Sequence, residues 1–516
     1  MKGIITLSIL CFIGLTISAQ SELTILNNKR TIGKNNLTNK DVIAKEFVFP
    51  ERIHDTYIDT VTNCITAQLR GTSKNGKWLN NTGNVVLYDL KQRKIKWSKK
   101  INYQQSGIEQ HSNLMIQTIA NKSFCLNYDN GENLWEVKNA IYYVEPFQKK
   151  GIGYKFSAFS GATNSLEGID LTNGKTIWQR KINREYSWND IFHLNDSTIV
   201  IVAAGLHSIN VNNGLGWDYN TITGEKDYTT TAVANAAGIA LGVLTGTFVL
   251  STGHNLVRDI VSNVLVDSAN IYFASKEKIA CLNHNGQMKW NISLPKNLVS
   301  KSSIFIKDSI LYMINNGFAF MGYRQLDYGT PFIAAFDTKT GKQLFLRTIN
   351  GKKDQINGFE INRDTISLVF KDKVSKYIMH DGSLILEKLF NSETYGELNY
   401  FISSQVYVKT DSIYKSLSLS DTTKQYLYTK SGKTLVLNDK LEIVNQIDYD
   451  QLYIYYLWDN NYKFIAKDNK TIVLDKNNRI VANIDISGKS IKIGSKIYDV
   501  QDKSFVEIDI NDITKN

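Results

Sequence analysis

Histidine, cysteine and paired carboxylates are the residue types that do acid–base, nucleophilic and metal chemistry, and this 516-residue chain holds seven His, four Cys and 49 Asp plus Glu. Their spacing argues against most of that chemistry. The histidines are scattered, with no His-Glu-x-x-His or other metal-ligand pair, no two cysteines are adjacent, and there is no Cys-x-x-Cys-His. The strong Asp and Asn positions fall in turn-like stretches such as "GIDLTNGKTIW" (168–178), where an acid, a few turn residues, a Gly and a Trp four residues later form a pattern. The pattern returns along the chain, so the elements that carry it come before any site.

Aligned on the turn, the copies are "YDLKQRKIKW" (88–97), "LNYDNGENLW" (126–135), "IDLTNGKTIW" (169–178), "INVNNGLGW" (209–217), "LNHNGQMKW" (282–290), "FDTKTGKQLF" (336–345) and "IMHDGSLIL" (378–386). Weaker versions follow at "LNDKLEIV" (437–444) and "VLDKNNRIV" (473–481). A period near 40 residues with insertions marks a repeat array. Upstream of each turn lies a second hairpin signal, for example "FHLNDSTIVIVAA" (192–204) and "IFIKDSILYMIN" (304–315). Two hairpins per repeat make four short antiparallel strands, which is a propeller blade. The 27 Tyr and 22 Phe favour sheet, and 42% hydrophobic residues supply a large core. In each copy the Gly supplies a left-handed turn residue, and the ring of Trp97, Trp135, Trp178, Trp217, Trp290 or Phe345 docks on the neighbouring blade.

This repeat resembles the PQQ-like, or tryptophan-docking, β-propeller family, whose unit reads Ala-x-Asp-x-x-x-Gly-x-x-x-Trp; "AAFDTKTGKQLF" and "GIDLTNGKTIW" carry the likeness. In repeat type the chain is similar to the propeller subunit of the outer-membrane β-barrel assembly machine. The resemblance implies one all-β propeller of four-stranded blades over residues 51–516, with eight blades expected and seven or nine as alternatives. "SKIYDVQDKSFVEIDI" (495–510) and a strand from the N-terminal segment 20–50 are expected to share the closing blade. True quinoprotein dehydrogenases of this family carry a vicinal Cys pair and Ca²⁺ ligands. Without that pair the expectation is no cofactor and no enzyme activity.

Lys2, the run "GIITLSILCFIGL" and the small residues of "TISAQ" read as a signal peptide over residues 1–19, too short to span a membrane comfortably. A mature start at Gln20 resembles exported proteins of the Bacteroidota, and the expected location is the periplasm or the cell surface. Of the remaining cysteines, Cys125 and Cys281 hold the small-residue position that Gly168 and Ala335 hold in other copies, so free buried thiols are expected there and at Cys64. The charge of +11 includes six basic residues in "KQRKIKWSKK" (91–100), a solvated strand edge by default, with an acidic glycan or lipopolysaccharide as the alternative contact. No nucleic-acid motif is present.

Strand parity puts the first–second and third–fourth turns on one face and the second–third and blade-to-blade connections on the other. The long departures, 71–84, 160–167, 321–331 and an insert at about 218–261, fall on the second face, where propellers carry function. In that insert Gly238, Gly242 and Gly246 recur at four-residue spacing. A packed helix or hairpin over the mouth is expected there, and a membrane span would strand half the blades. Partner contact is expected through Trp78, Arg324, Tyr328 and the insert from Gly238 to His254. The expected function is a monomeric, non-catalytic scaffold that binds a protein partner, with a glycan- or ligand-binding propeller as the alternative. Asp-Ser/Thr pairs at Asp59, Asp196, Asp267, Asp308, Asp364, Asp411 and Asp421 read as turns and also resemble O-glycosylation sites.

Overall fold

The computed structural model describes residues 23–104, 106–157, 161–182, 188–203, 205–221, 260–321, 324–349, 354–411, 413–459 and 461–514. The first blade shows how the sequence builds the unit. Strands Arg52–Asp59, Cys64–Thr72, Leu79–Asp89 and Lys94–Asn102 pair antiparallel in chain order. Alternation buries Ile65, Ala67 and Leu69 on one face, and Val85 and Leu87 join the core shared with the second blade. Seven more four-stranded sheets follow, beginning at Ser106, Asn139, Asp190, Leu265, Ser302, Gly358 and Leu398. An eleven-stranded sheet then holds a ninth set from Leu452 to Ile484. It also holds a tenth, Ile491–Ile493, Lys496–Gln501 and Ser504–Asp509, completed by Asp41–Val48 from the other end of the chain. Strand Leu26–Asn35 pairs with Asp41–Val48, and its end, Gly33–Asn35, with Ala482–Ile484 of the ninth set.

Buried clusters join each blade to the next. One cluster unites Ile65, Ala67, Val86 and Tyr88 of the first blade with Phe47, Tyr498 and Phe505 of the tenth, which closes the ring. The molecule is an all-β propeller. Ten four-stranded sets among the described residues is two more than the eight favoured by the repeat spacing. The difference arises where the docking aromatic is missing, since the weak turns at 437–444 and 473–481 belong to complete sheets.

The repeated motif works at the seams. The indole N–H of Trp97, Trp135, Trp178, Trp217 and Trp290 donates to a turn carbonyl of the next blade, at Tyr128, Leu171, Val211, His284 and Thr338, over 2.8 to 3.0 Å. Each ring lies on the turn glycine of that next blade. A Cβ on Gly131, Gly174, Gly214, Gly286 or Gly341 would approach the ring to between 2.3 and 2.8 Å, and Gly382 stands in the same relation to Phe345. On its other side the ring faces its own third strand, where four of the six seams place a small residue and the first places Leu87 opposite Trp97. Cys125, Gly168, Cys281 and Ala335 lie opposite Trp135, Trp178, Trp290 and Phe345.

Left-handed backbone alone does not explain these glycines. The equivalent turn residues Arg93, Leu441 and Asn478 have φ of 57°, 59° and 62°, yet none is glycine. In two of these cases the preceding outer strand has no aromatic ring to offer: Leu386 holds the position before the eighth blade and Asn445 before the ninth, while Phe47, on the outer strand before the first blade, packs on Tyr88. Glycine therefore occurs where a ring must be received. At the seventh seam Lys376 substitutes for the indole, its Nζ donating to the turn carbonyl of Asp439 at 3.4 Å. The eighth seam has neither device, because Asn445 is exposed.

Candidate partner-binding face

Trp78 closes a short loop between the second and third strands of the first blade, and it is 73% exposed. The loop is built, not slack. Ser73 N donates to Trp78 O at 2.8 Å, Gly76 N to Ser73 O at 2.8 Å, and Trp78 N to Ser73 Oγ at 3.1 Å. Beneath it, buried Arg70 donates from Nε to Asn80 O at 2.8 Å and lies over the Tyr103 ring at 5.3 Å. Burial, and then the Arg70 charge, hold the neighbouring His54 below its ordinary value, so it stays neutral at neutral pH.

Arg324 and Tyr328 belong to the second–third connection of the sixth blade. Phe318–Met321 and Arg324–Asp327 form a two-stranded hairpin that pairs with no other described strand. Arg324 is exposed, Phe320 is 50% exposed, and Tyr328 packs half-buried on the core at the hairpin's base. That base is fixed by Asn315, which is fully buried. Its Oδ1 accepts from Ser300 N at 2.6 Å, Ser300 Oγ at 3.0 Å and Ser302 Oγ at 3.1 Å. Its Nδ2 donates to Leu298 O at 2.9 Å and Thr330 O at 2.7 Å. Every polar valence of the side chain is used, which explains an Asn in the core. Along the returning strand Gln355 bridges Gln325 and Asp327.

Trp78 and the Arg324 hairpin share the long-loop face but stand on the first and sixth blades, so they do not form one cluster. Gly238, Gly242, Gly246 and His254 lie outside the described residues. The sequence reading also missed a long connection on the opposite parity. Residues 402–423 join the first and second strands of the eighth blade, where a short turn was expected, and carry the hairpin Val406–Thr410 and Ile413–Ser416. Its first strand pairs with Leu452–Asp459 and extends the ninth blade inward. Val406 and Val408 face the eighth blade, while Tyr407 and Tyr414 face Ile465, Ile472 and Leu474 of the ninth. Beside it opens a cavity of about 370 Å³, lined by Lys409, Asp411, Tyr414, Tyr453, Lys470 and Asp485 among others.

Titratable groups gather on the first strands of the third and fourth blades. Tyr143 Oη donates to the buried Glu145 Oε2 at 2.8 Å and meets His193 Nε2 at 2.9 Å. Burial, then the Glu145 contact, pushes the Tyr143 phenol well up, so it remains a hydroxyl. Among the described residues no three His, Cys, Asp or Glu side chains are grouped to hold a metal ion, and no helix is long and apolar enough to cross a membrane. Cys64, Cys125 and Cys281 are buried and unpaired; burial pushes the Cys281 thiol up to about 11 and raises Cys125 as well.

No protein-family model matches the chain, and a comparison with curated proteins returns no match. Among solved structures, BamB from Moraxella catarrhalis aligns at 12% identity over 73% of this chain and 96% of that one, with a TM-score of 0.31. The computationally designed Ika8 protein aligns at 10% identity over 79% and 96%, with a TM-score of 0.32. KlHsv2 with loop 6CD replaced by a Gly-Ser linker aligns at 9% over 77% and 99%, with a TM-score of 0.29. At these scores the alignments carry no argument about function.

Proposed function

We propose that the chain is a non-catalytic scaffold propeller of the cell envelope that binds a protein partner through its long-loop face. The observation that carries this reading is Trp78, a large apolar ring held 73% exposed by a hydrogen-bonded loop. Aromatic and Arg side chains presented on rigid supports are the usual anchors of protein interfaces. The Arg324 hairpin adds an exposed Phe320 and two strand edges on the same face. A photo-crosslinking residue placed at position 78 or 324, in cells, is expected to yield one discrete protein adduct. The same residue at Lys289, on an outer strand, is expected to yield none. Absence of adducts at both 78 and 324 would overturn the reading, and a glycan adduct would replace the protein partner. Calorimetry with pyrroloquinoline quinone and Ca²⁺ is expected to show no binding, and saturable binding would overturn the non-catalytic assignment.

A further inference from the structure

On the face opposite the long loops, two apolar side chains project from turn tips further than any other large hydrophobic residue described. Phe147 is 93% exposed in the first–second turn of the third blade, and Val61 is 86% exposed in that of the first. Both turns are braced from behind. Asp59 Oδ1 accepts from Val61 N at 3.0 Å and Thr62 N at 3.2 Å, Glu145 Oε1 accepts from Phe147 N at 3.3 Å, and Leu171 N donates to Lys149 O at 2.9 Å. The ring and the methyls are therefore presented outward by rigid turns.

Cations flank both tips. Lys91, Arg93 and Lys94 occupy the third–fourth turn of the first blade and Lys149 adjoins Phe147, all four exposed. Two of the acids on these turns are paired with further cations, Asp170 with Lys150 and Asp129 on the intervening blade with Lys96, while Asp89 accepts from Lys91 N and Gln92 N and Glu132 from Asn130 Nδ2. We infer that the short-turn face of the first three blades docks on an anionic lipid bilayer, with Phe147 and Val61 entering the headgroup boundary and Lys91, Arg93, Lys94 and Lys149 over lipid phosphates. Charge complementarity selects this occupant. Separated apolar tips set among polar turn residues do not make the continuous apolar centre of a protein interface, whereas shallow insertion beside cations needs only such tips. Each cation close to an anionic surface raises partitioning about five-fold.

The test is co-sedimentation of the mature chain with vesicles of phosphatidylglycerol and phosphatidylcholine, against vesicles of phosphatidylcholine alone. Binding is expected only to the anionic vesicles and is expected to weaken as salt rises. Phe147→Asp, and separately the triple change Lys91→Glu, Arg93→Glu, Lys94→Glu, should each lower the partition coefficient by about ten-fold or more. Both leave the core untouched, which an unchanged circular dichroism melt checks, and Trp78→Asp on the opposite face should bind as the parent does. No binding of the parent chain to anionic vesicles overturns the inference and returns this face to a protein partner. Retained binding in either the Phe147 or the triple variant, or equal loss in Trp78→Asp, overturns it as well.

Discussion

Substituting Gly214→Ala separates the two explanations for the turn glycines. Gly214 has φ of 73°, and a Cβ there would meet the Trp178 ring at 2.7 Å. Left-handed backbone costs a non-glycine residue about 1–2 kcal/mol, and forcing a methyl into a packed seam adds about 1–3 kcal/mol. The expected loss is therefore about 2–5 kcal/mol. Gly76→Ala is the control, because Gly76 has φ of 69° with nothing within 4 Å of its Cβ, so it should carry the backbone part alone. Trp178→Ala costs about 3–5 kcal/mol by itself, but it removes the ring that the new methyl would strike. In that background Gly214→Ala should fall back to the cost of the Gly76 control, a coupling of about 1–3 kcal/mol. A repeat array need not unfold in one step, so the readout is amide hydrogen exchange in strands Lys175–Lys181 and Gly205–Asn210, which flank the seam. Equal losses for Gly214→Ala and Gly76→Ala, or full additivity with Trp178→Ala, would refute the ring-receiving role.

Asn315→Leu strands Thr330 O and the Ser300 amide, each at about 1–3 kcal/mol; limited proteolysis should show cleavage in the hairpin 318–327 before the rest of the chain is attacked. Lys376→Met removes the bond to Asp439 O across the seventh seam, and a loss of about 1 kcal/mol in chemical denaturation is expected. Asp218 lies between His207, 2.6 Å away, and Arg180, 2.7 Å away. Burial pushes its carboxyl up, but those two contacts outweigh it and the net direction is downward. A folded-state value below the unfolded one, near 3.9, means the stabilisation is present above that pH and is lost as pH falls through the folded value. Asp218→Asn should therefore lower the melting temperature at pH 7 and narrow its gap to the parent as the pH is taken below about 4.

The period, the hairpins and the seam aromatics were legible because each repeats at fixed spacing and answers to local rules of turn and alternation. The second purpose of the glycines was not, since it depends on a ring some forty residues earlier in the chain, as Trp178 is from Gly214. Lys376 carries no signal of its own in the repeat, and its replacement of an indole N–H emerges only when the turn of the eighth blade is in place. Asn315 and the hairpin 406–416 each occur once in the array, so nothing in the repeat announced them. For the candidate face, parity indicated which side holds the loops of Trp78 and Arg324. It could not bring them to one place, because their blades are far apart in the ring.

The eighth seam is where these observations converge on a last prediction. Six seams are clamped by a ring on a glycine and the seventh by Lys376, but the eighth presents exposed Asn445 to Asn478, and a cavity of about 370 Å³ opens beside the intervening hairpin. A seam without a clamp loses the ring burial and the charge- or indole-donated bond together, worth about 3–5 kcal/mol at an ordinary seam. Local opening takes the least stable route, so strands Ile443–Ile447 and Ile480–Ile484 should exchange their amide protons well before Lys175–Lys181. Supplying the missing parts, with Asn445→Trp to provide the ring and Asn478→Gly to receive it, should slow exchange in those two strands and leave the third blade unchanged. Either single change should do less than the pair, because a ring without its glycine meets a Cβ and a glycine without a ring gains nothing. If the pair is no better than the sum of the singles, ring and glycine are not a matched device, and the account of all six clamped seams fails with it.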